Sequence, residues 1–475
     1  MLFHSLLFIC IFLPIVLLIY YVLPKKARNY FLMLASLFFY YWGGTKYTLI
    51  LLALTLVNYL LGLLMDRFIR FSKWFLFLGI AFSLSMLCYY KYMRFILVNV
   101  NKYFGGHFPL TNVLLPIGIS FFTFQGLSYL IDVYRNINHK YEGNAVLMGC
   151  KVQRNPFKLL LYISLFPQLI AGPIVRYKDI STQIDSREHS IKKLSDGMER
   201  FIYGLAKKVI VADTLAVASD RIFSLAPNNI ATEVAWIGIL SYTLQIFFDF
   251  SGYSDMAIGL GKLFGFEFAE NFNSPYISRS ITEFWRRWHI SLSSWFRDYV
   301  YIPLGGNRKG IVYLNLAIVF GLTGIWHGAS WSFVAWGIWH GFFIILERIF
   351  KNIDLKIKIP SIIRWGYSMM VIVFGWVFFR SEYLHDALSY FKRMFGIGYL
   401  EFQPFEWRYY WDNKTIFILI VAILFSILPI RKWIEKARQY QVGEICVKTL
   451  SVFLFLICLI VIVNSYYSPF IYFRF

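Results

Sequence analysis

Residues 324–342 read "GIWHGASWSFVAWGIWHGF" and set two histidines, His327 and His340, each followed by glycine, among four tryptophans and two phenylalanines with no charged side chain. A run this long and this apolar suits hydrocarbon, and an ionisable side chain there is costly. Such a residue either faces a wet cavity in which something happens or closes a structural hydrogen bond. The rest of the chain has the same character. Of its 475 residues 58% are hydrophobic and only 15% charged, a balance that a water-soluble domain does not need. Apolar stretches of spanning length recur from residue 3 to residue 466 with no polar block of domain size between them. The expectation is an all-α polytopic membrane protein, residues 1–475 forming a single integral-membrane domain without a separate soluble catalytic domain.

The opening stretch lacks a basic leader and a small-residue cleavage site, so it reads as a retained span. The net charge of +21 does not point to nucleic acid, because the basic residues come in short clusters between apolar segments, the pattern of cytoplasmic loops. Lys25, Lys26 and Arg28 follow the first span, and Arg67, Arg70 and Lys73 the third, which places both ends inside and the N-terminus outside. Continued along the chain, this alternation gives about 11–12 crossings and leaves the C-terminus outside. Residues 159–173 are too short to cross, are broken by Pro167 and Pro173, and have basic flanks on both sides, so they read as re-entrant. Residues 276–300 carry too many charges to span. Phe284, Trp285, Trp288, Leu292, Trp295, Phe296 and Tyr299 recur there at helical spacing, the pattern of one amphipathic or re-entrant helix.

Three histidines and the last residues carry the candidate chemistry. On that helix His289 falls on the aromatic stripe and points inward, with Arg286 three residues earlier able to bind an anionic group such as a phosphate. An imidazole anchoring the helix to a backbone carbonyl is the alternative. His327 lies among small residues that leave room for a cavity, and a neutral imidazole has one ring nitrogen able to take a proton from a hydroxyl. An interhelical hydrogen bond is the alternative there. On one continuous helix His327 and His340, thirteen residues apart, would stand about 140° and about 20 Å apart, and His340, on the next of two successive spans near 311–330 and 332–350, reads as structural. Asp249 and Asp255 read as partners of buried arginines. The tail "SPFIYFRF", residues 468–475, either ends in an interfacial aromatic belt or folds back to present the Tyr472 hydroxyl. The five cysteines are widely spaced, so neither a disulfide framework nor a metal site is indicated, and no phosphate-binding loop or dinucleotide fingerprint is present.

Several of these stretches together resemble a known family. "NFNSPYISRSITEFWRRWHISLSSWFRDYVYIPLGGNRKG" followed by "GLTGIWHGASWSFVAWGIWHG" is similar to the membrane-bound O-acyltransferases, in their bacterial alginate O-acetyltransferase-like branch. "LPIGISFFTFQGLSYLIDVYR" at 115–135, "LFPQLIAGPIVRY" at 165–177 and "FFDFSGYSDMAIGLG" at 247–261 look like the same branch. The resemblance implies a ring of helices around a central funnel in the bacterial cytoplasmic membrane. It implies acetyl-coenzyme A as donor substrate rather than bound cofactor. The acceptor implied is a cell-surface polysaccharide such as alginate or peptidoglycan, reached through an extracytoplasmic acetyltransferase partner of SGNH-hydrolase type. Carried over residue by residue, it makes His327 the catalytic base and His289 its assistant. The tail "FIYFRF", residues 470–475, resembles the acyl-carrying end of a small partner in a related D-alanylation system, which makes Tyr472 a candidate acyl acceptor. Arg286 and Arg287, from charge and side alone, are candidates for the coenzyme A phosphates. The rival class is a non-enzymatic channel or carrier for an acyl donor or glycan.

Overall fold

In hydrocarbon no water is available to the backbone, so the apolar stretches of this chain can satisfy their N–H and C=O groups only by coiling on themselves. The computed structural model is accordingly all helical among the residues described, which are all except 111–112, 142–149, 171, 308–311, 353–358, 399, 401, 403–404, 465–469 and 471–475. The protein is an all-α, multi-pass membrane protein. Among the described residues six helices are long and apolar enough to span: Thr45–Arg67, Ile69–Phe104, Thr232–Leu263, Trp331–Lys351, Ser361–Arg380 and Gln441–Asn464. Shorter apolar helices cover Phe8–Val22, Val312–His327 and Asn413–Ile427. Two further segments expected as spans are also helical, Ile119–Tyr141 and the run from Ile191 to Phe223. The second carries Lys207, Lys208, Asp213, Asp220 and Arg221 and is correspondingly polar.

The chain forms two compact units, one of Met1–Phe201 with Ser254–Ala269, the other of Ile202–Tyr253 with Glu270–Phe475. In the first, residues 159–173 hold two short buried helices, Pro156–Ser164 and Phe166–Leu169, broken at Leu165. Protein satisfies the break. Asn155 caps the first helix by accepting from the Phe157 N–H, the Phe166 N–H donates to Ser36 Oγ at 3.2 Å, and the Tyr162 hydroxyl donates to the Val175 carbonyl at 3.0 Å. The same unit pairs Asp255 with Arg200 at 2.5 Å, the arginine partner the sequence led one to expect.

In the second unit Val312–His327 turns back on Trp331–Asn352. The two helices touch at glycine. A Cβ on Gly324 would stand 2.5 Å from the Phe333 carbonyl oxygen and 3.2 Å from Gly337 Cα, so any larger side chain forces the helices apart. Trp339 Nε1 donates to the Val371 carbonyl at 2.9 Å, fastening the hairpin to Ser361–Arg380. Among the described residues Asp249, expected to meet an arginine, pairs with a lysine: the Lys208 ammonium lies 2.7 Å from both Asp249 and Asp213, with Lys208 and Asp249 each only 2% exposed. Lys208 starts from a π-helical turn, Lys207–Ala212, whose wider coil interrupts the helix at the charge.

Removing Lys208 takes away the cation that the two carboxylates share. Lys208→Met is expected to cost about 3–5 kcal/mol of stability. The double variant Lys208→Met with Asp249→Leu should recover part of it, as read by thermal unfolding of the detergent-solubilised protein. Equal loss in the single and double variants would show that the ion pair itself is not what is being disturbed.

Candidate functional site

Residues 276–300 do not form the one helix that their spacing led one to expect. Ile281–Arg287 and Ile290–Phe296 are separate helices, and the chain turns between them at His289, whose φ of 43° and ψ of 53° lie in the left-handed region. A side chain there costs roughly 1–2 kcal/mol, so the turn needs support. It comes from residues 271–273. The Ile290 N–H donates to the Asn271 carbonyl at 2.9 Å and the Asn273 N–H to the Arg287 carbonyl at 2.9 Å. Asn271 Oδ1 lies 3.1 Å from His289 Nδ1 and accepts from the Ser291 hydroxyl at 2.8 Å and the Ser291 N–H at 3.2 Å. The start of the first helix is held as firmly. Ser280 accepts from the Glu283 N–H, and Glu347, reaching over from Trp331–Asn352, accepts from the Ile281 and Thr282 N–H groups and from the Thr282 hydroxyl.

His289 is 1% exposed, its ring edge-on to Phe250 at 4.6 Å. A second ring neighbour is Trp326, at 6.2 Å. Trp326 is also 4.9 Å from His327, so His289 and His327 share one indole as a ring neighbour. His327, the last residue of its helix and 4% exposed, is further walled by Trp336 at 4.8 Å and Phe379 at 5.1 Å, both edge-on. An imidazole held among aromatic rings is poorly hydrated.

His340 departs from the continuous-helix geometry. Because the chain reverses at residues 328–330, its ring lies 5.2 Å from the same Trp336 that walls His327. It is tightly packed as well: Trp285 lies 5.2 Å away, and a Cβ on Gly375 would meet His340 Nε2 at 2.5 Å. Among the described residues neither ring nitrogen of His340 has a hydrogen-bond partner.

The two arginines have different surroundings. Arg287 is committed to Glu283 at 3.0 Å and to the Asn273 carbonyl at 3.1 Å, whereas Arg286 is exposed. Burial opposes ionisation of Glu283, but hydrogen bonds from the Arg279 N–H and from Arg287 outweigh it and hold the carboxyl below its ordinary value. Tyr472 lies outside the described residues. Phe470, two positions earlier, is fully buried and stacked at 4.5 Å on Tyr253, which shares its helix with Phe250. Sequence reasoning missed Asn271, Ser291 and the shared indole of Trp326. The available signal was a pair of asparagines flanking Phe272 inside an otherwise aromatic stretch, a place where a buried amide needs a reason.

A model of the membrane-bound O-acyltransferase family matches residues 151–381, a stretch that includes both histidines. The chain is 40% identical to the probable alginate O-acetylase of Pseudomonas putida over the full length of both. It is 38% identical to the peptidoglycan O-acetyltransferase of Helicobacter pylori over 74% of this chain and 71% of that one. A teichoic acid D-alanyltransferase of Bacillus subtilis is 28% identical over 59% of this chain and 72% of its own length. The chain belongs to the membrane-bound O-acyltransferase family and is an O-acyltransferase enzyme.

Proposed function

We propose that the protein takes an acetyl group from acetyl-coenzyme A on the cytoplasmic side and passes it to a hydroxyl on the outer side, for O-acetylation of a cell-surface polysaccharide. The observation that carries this reading is that His327 and His289, both buried, share Trp326 as a ring neighbour. The relatives named for alginate and peptidoglycan O-acetylation support a polysaccharide as final acceptor and acetyl as the group moved.

In this reaction the hydroxyl oxygen attacks the thioester carbonyl, the new C–O bond forms as the C–S bond breaks, and the hydroxyl proton ends on the coenzyme A thiol. His327 removes that proton as the oxygen attacks and returns it to the leaving sulfur. His289 positions the reacting groups. Tyr472 is the candidate first acceptor in cis. A tail whose residue 470 is buried against Tyr253 supports an acceptor that works inside the protein. The ester would then be handed to an extracytoplasmic acetyltransferase of SGNH-hydrolase type. The cytoplasmic membrane, with both termini outside, is the location that fits this route. Exposed Arg286 is the better candidate for a coenzyme A phosphate, because Arg287 already serves Glu283.

The purified protein in detergent, incubated with radiolabelled acetyl-coenzyme A, tests the reading. Label should be retained on the wild-type chain and on neither His327→Ala nor Tyr472→Phe, and thiol release should fall about 10²–10⁴-fold in His327→Ala. A folded, inserted His327→Ala that still cleaves the thioester would remove His327 from the chemistry, and a variant that fails to insert would favour its structural role. Label persisting on Tyr472→Phe would rule out the tail. Transport with no thiol released by any variant would favour the channel. Arg286→Ala is expected to raise KM for acetyl-coenzyme A about tenfold with kcat little changed, and an unchanged KM would remove it from donor binding.

A further inference from the structure

The hydrogen bonds at Asn271 determine more than the shape of the turn. A backbone N–H can only donate, so the Asn271 side-chain atom that the Ser291 N–H meets at 3.2 Å is the carbonyl oxygen and not the amide nitrogen. That oxygen can only accept. The Ser291 hydroxyl donates to it at 2.8 Å, and the His289 ring nitrogen 3.1 Å away, Nδ1, therefore carries hydrogen. A charged imidazolium walled by Phe250 and Trp326 would be costly, so the ring is neutral and its lone pair lies on Nε2. Asn271 is itself 1% exposed and cannot exchange this role with solvent.

We propose that Asn271 is a positioning residue that fixes His289 as the Nδ1–H tautomer. His289 then accepts a hydrogen bond from the hydroxyl substrate through Nε2 instead of donating one to the oxyanion formed at the thioester carbon. The inference rests on the reading above, in which His289 serves the transfer. Within that reading it divides the work. His289 aligns the hydroxyl and lowers the entropy of its approach, and His327 takes the proton. The left-handed backbone at His289 belongs to the same device, since it lets one asparagine side chain bond both the ring of residue 289 and the backbone of residue 291. No proton or electron is gained or lost in this step: the hydroxyl's one proton points at Nε2 while the acceptor docks, and the O–H then turns to His327, which takes the proton as the oxygen attacks.

The test reads the tautomer directly, in protein labelled with ¹⁵N-histidine, the His289 signals being assigned by their loss in His289→Gln. Wild type should show Nδ1 protonated and Nε2 unprotonated. Asn271→Leu, which keeps the shape and removes the acceptor, should mix the tautomers and lower kcat by on the order of 10², with KM for acetyl-coenzyme A within about twofold of wild type. Asn271→Asp, which keeps an accepting oxygen, should restore both the tautomer and most of kcat. Should the leucine variant not fold, Asn271→Ser removes the same reach at smaller volume and is read in the same way. A wild-type signal with Nε2 protonated, or an Asn271→Leu protein whose tautomer and kcat are both unchanged, overturns the proposal. An Nδ1–H tautomer in a protein that moves no acetyl group would instead leave the tautomer standing and defeat the proposed function.

Discussion

A polar group at membrane depth must find its partner within the protein, and this constraint shapes each irregular feature of the structure. Where the helices run unbroken the backbone satisfies itself. Where they break, at Leu165 and at His289, a neighbouring segment supplies what the missing turn would have given: Ser36 for the Phe166 N–H, the 271–273 backbone and the Asn271 side chain for the turn at His289. The magnitudes explain why such a turn persists. A left-handed side-chain residue costs about 1–2 kcal/mol, whereas each buried hydrogen bond contributes about 1 kcal/mol net and more if broken one-sidedly. The several bonds gathered on Asn271, Asn273 and Ser291 outweigh the strain, and the same bonds fix the ring.

Close packing does for His327 what hydrogen bonding does for His289. Gly324 and Gly337 let two helices approach to contact, and the approach carries Trp336 up to the His327 ring while Phe379 closes another side. Neither histidine depends on a flexible loop for its position. Under the proposed reaction that matters, because a site assembled from packed helices needs little reorganisation when the donor arrives.

The class of the protein was legible in its composition, since nothing but membrane burial accommodates so many aromatics with so few charges. The candidate histidines were legible too, because ionisable residues stand out inside apolar runs. Asp255 was correctly assigned an arginine. The break at His289 was not legible, and the reason is local: no glycine or proline marks it, and the aromatic residues from Phe284 to Tyr299 keep helical spacing straight through a residue that leaves the helix. The break between His327 and His340 was legible as the junction of two successive spans, but not that the reversal at residues 328–330 would bring His340 to the same tryptophan that walls His327. Asn271 stayed hidden because its partners lie 18 and 20 residues away in sequence, beyond the reach of any helical periodicity.

The placement of the two histidines on their helices is consistent with unequal roles in the proposed transfer. His327 closes the C-terminal end of the Val312–His327 helix, where unpaired carbonyls concentrate partial negative charge. An imidazolium forming there as a proton is taken from the hydroxyl is stabilised by that charge, by up to about 2 kcal/mol where the site is partly dry. His289 instead lies between the C-terminus of Ile281–Arg287 and the N-terminus of Ile290–Phe296, where the two helix ends oppose each other, and its burial among aromatic rings disfavours a positive charge. A histidine at a helix C-terminus is suited to becoming a cation for a moment, and one buried between two opposed helix ends to staying neutral. In the proposed transfer, proton abstraction therefore suits the first and alignment of a hydroxyl the second, the division that the Asn271 hydrogen bond also favours.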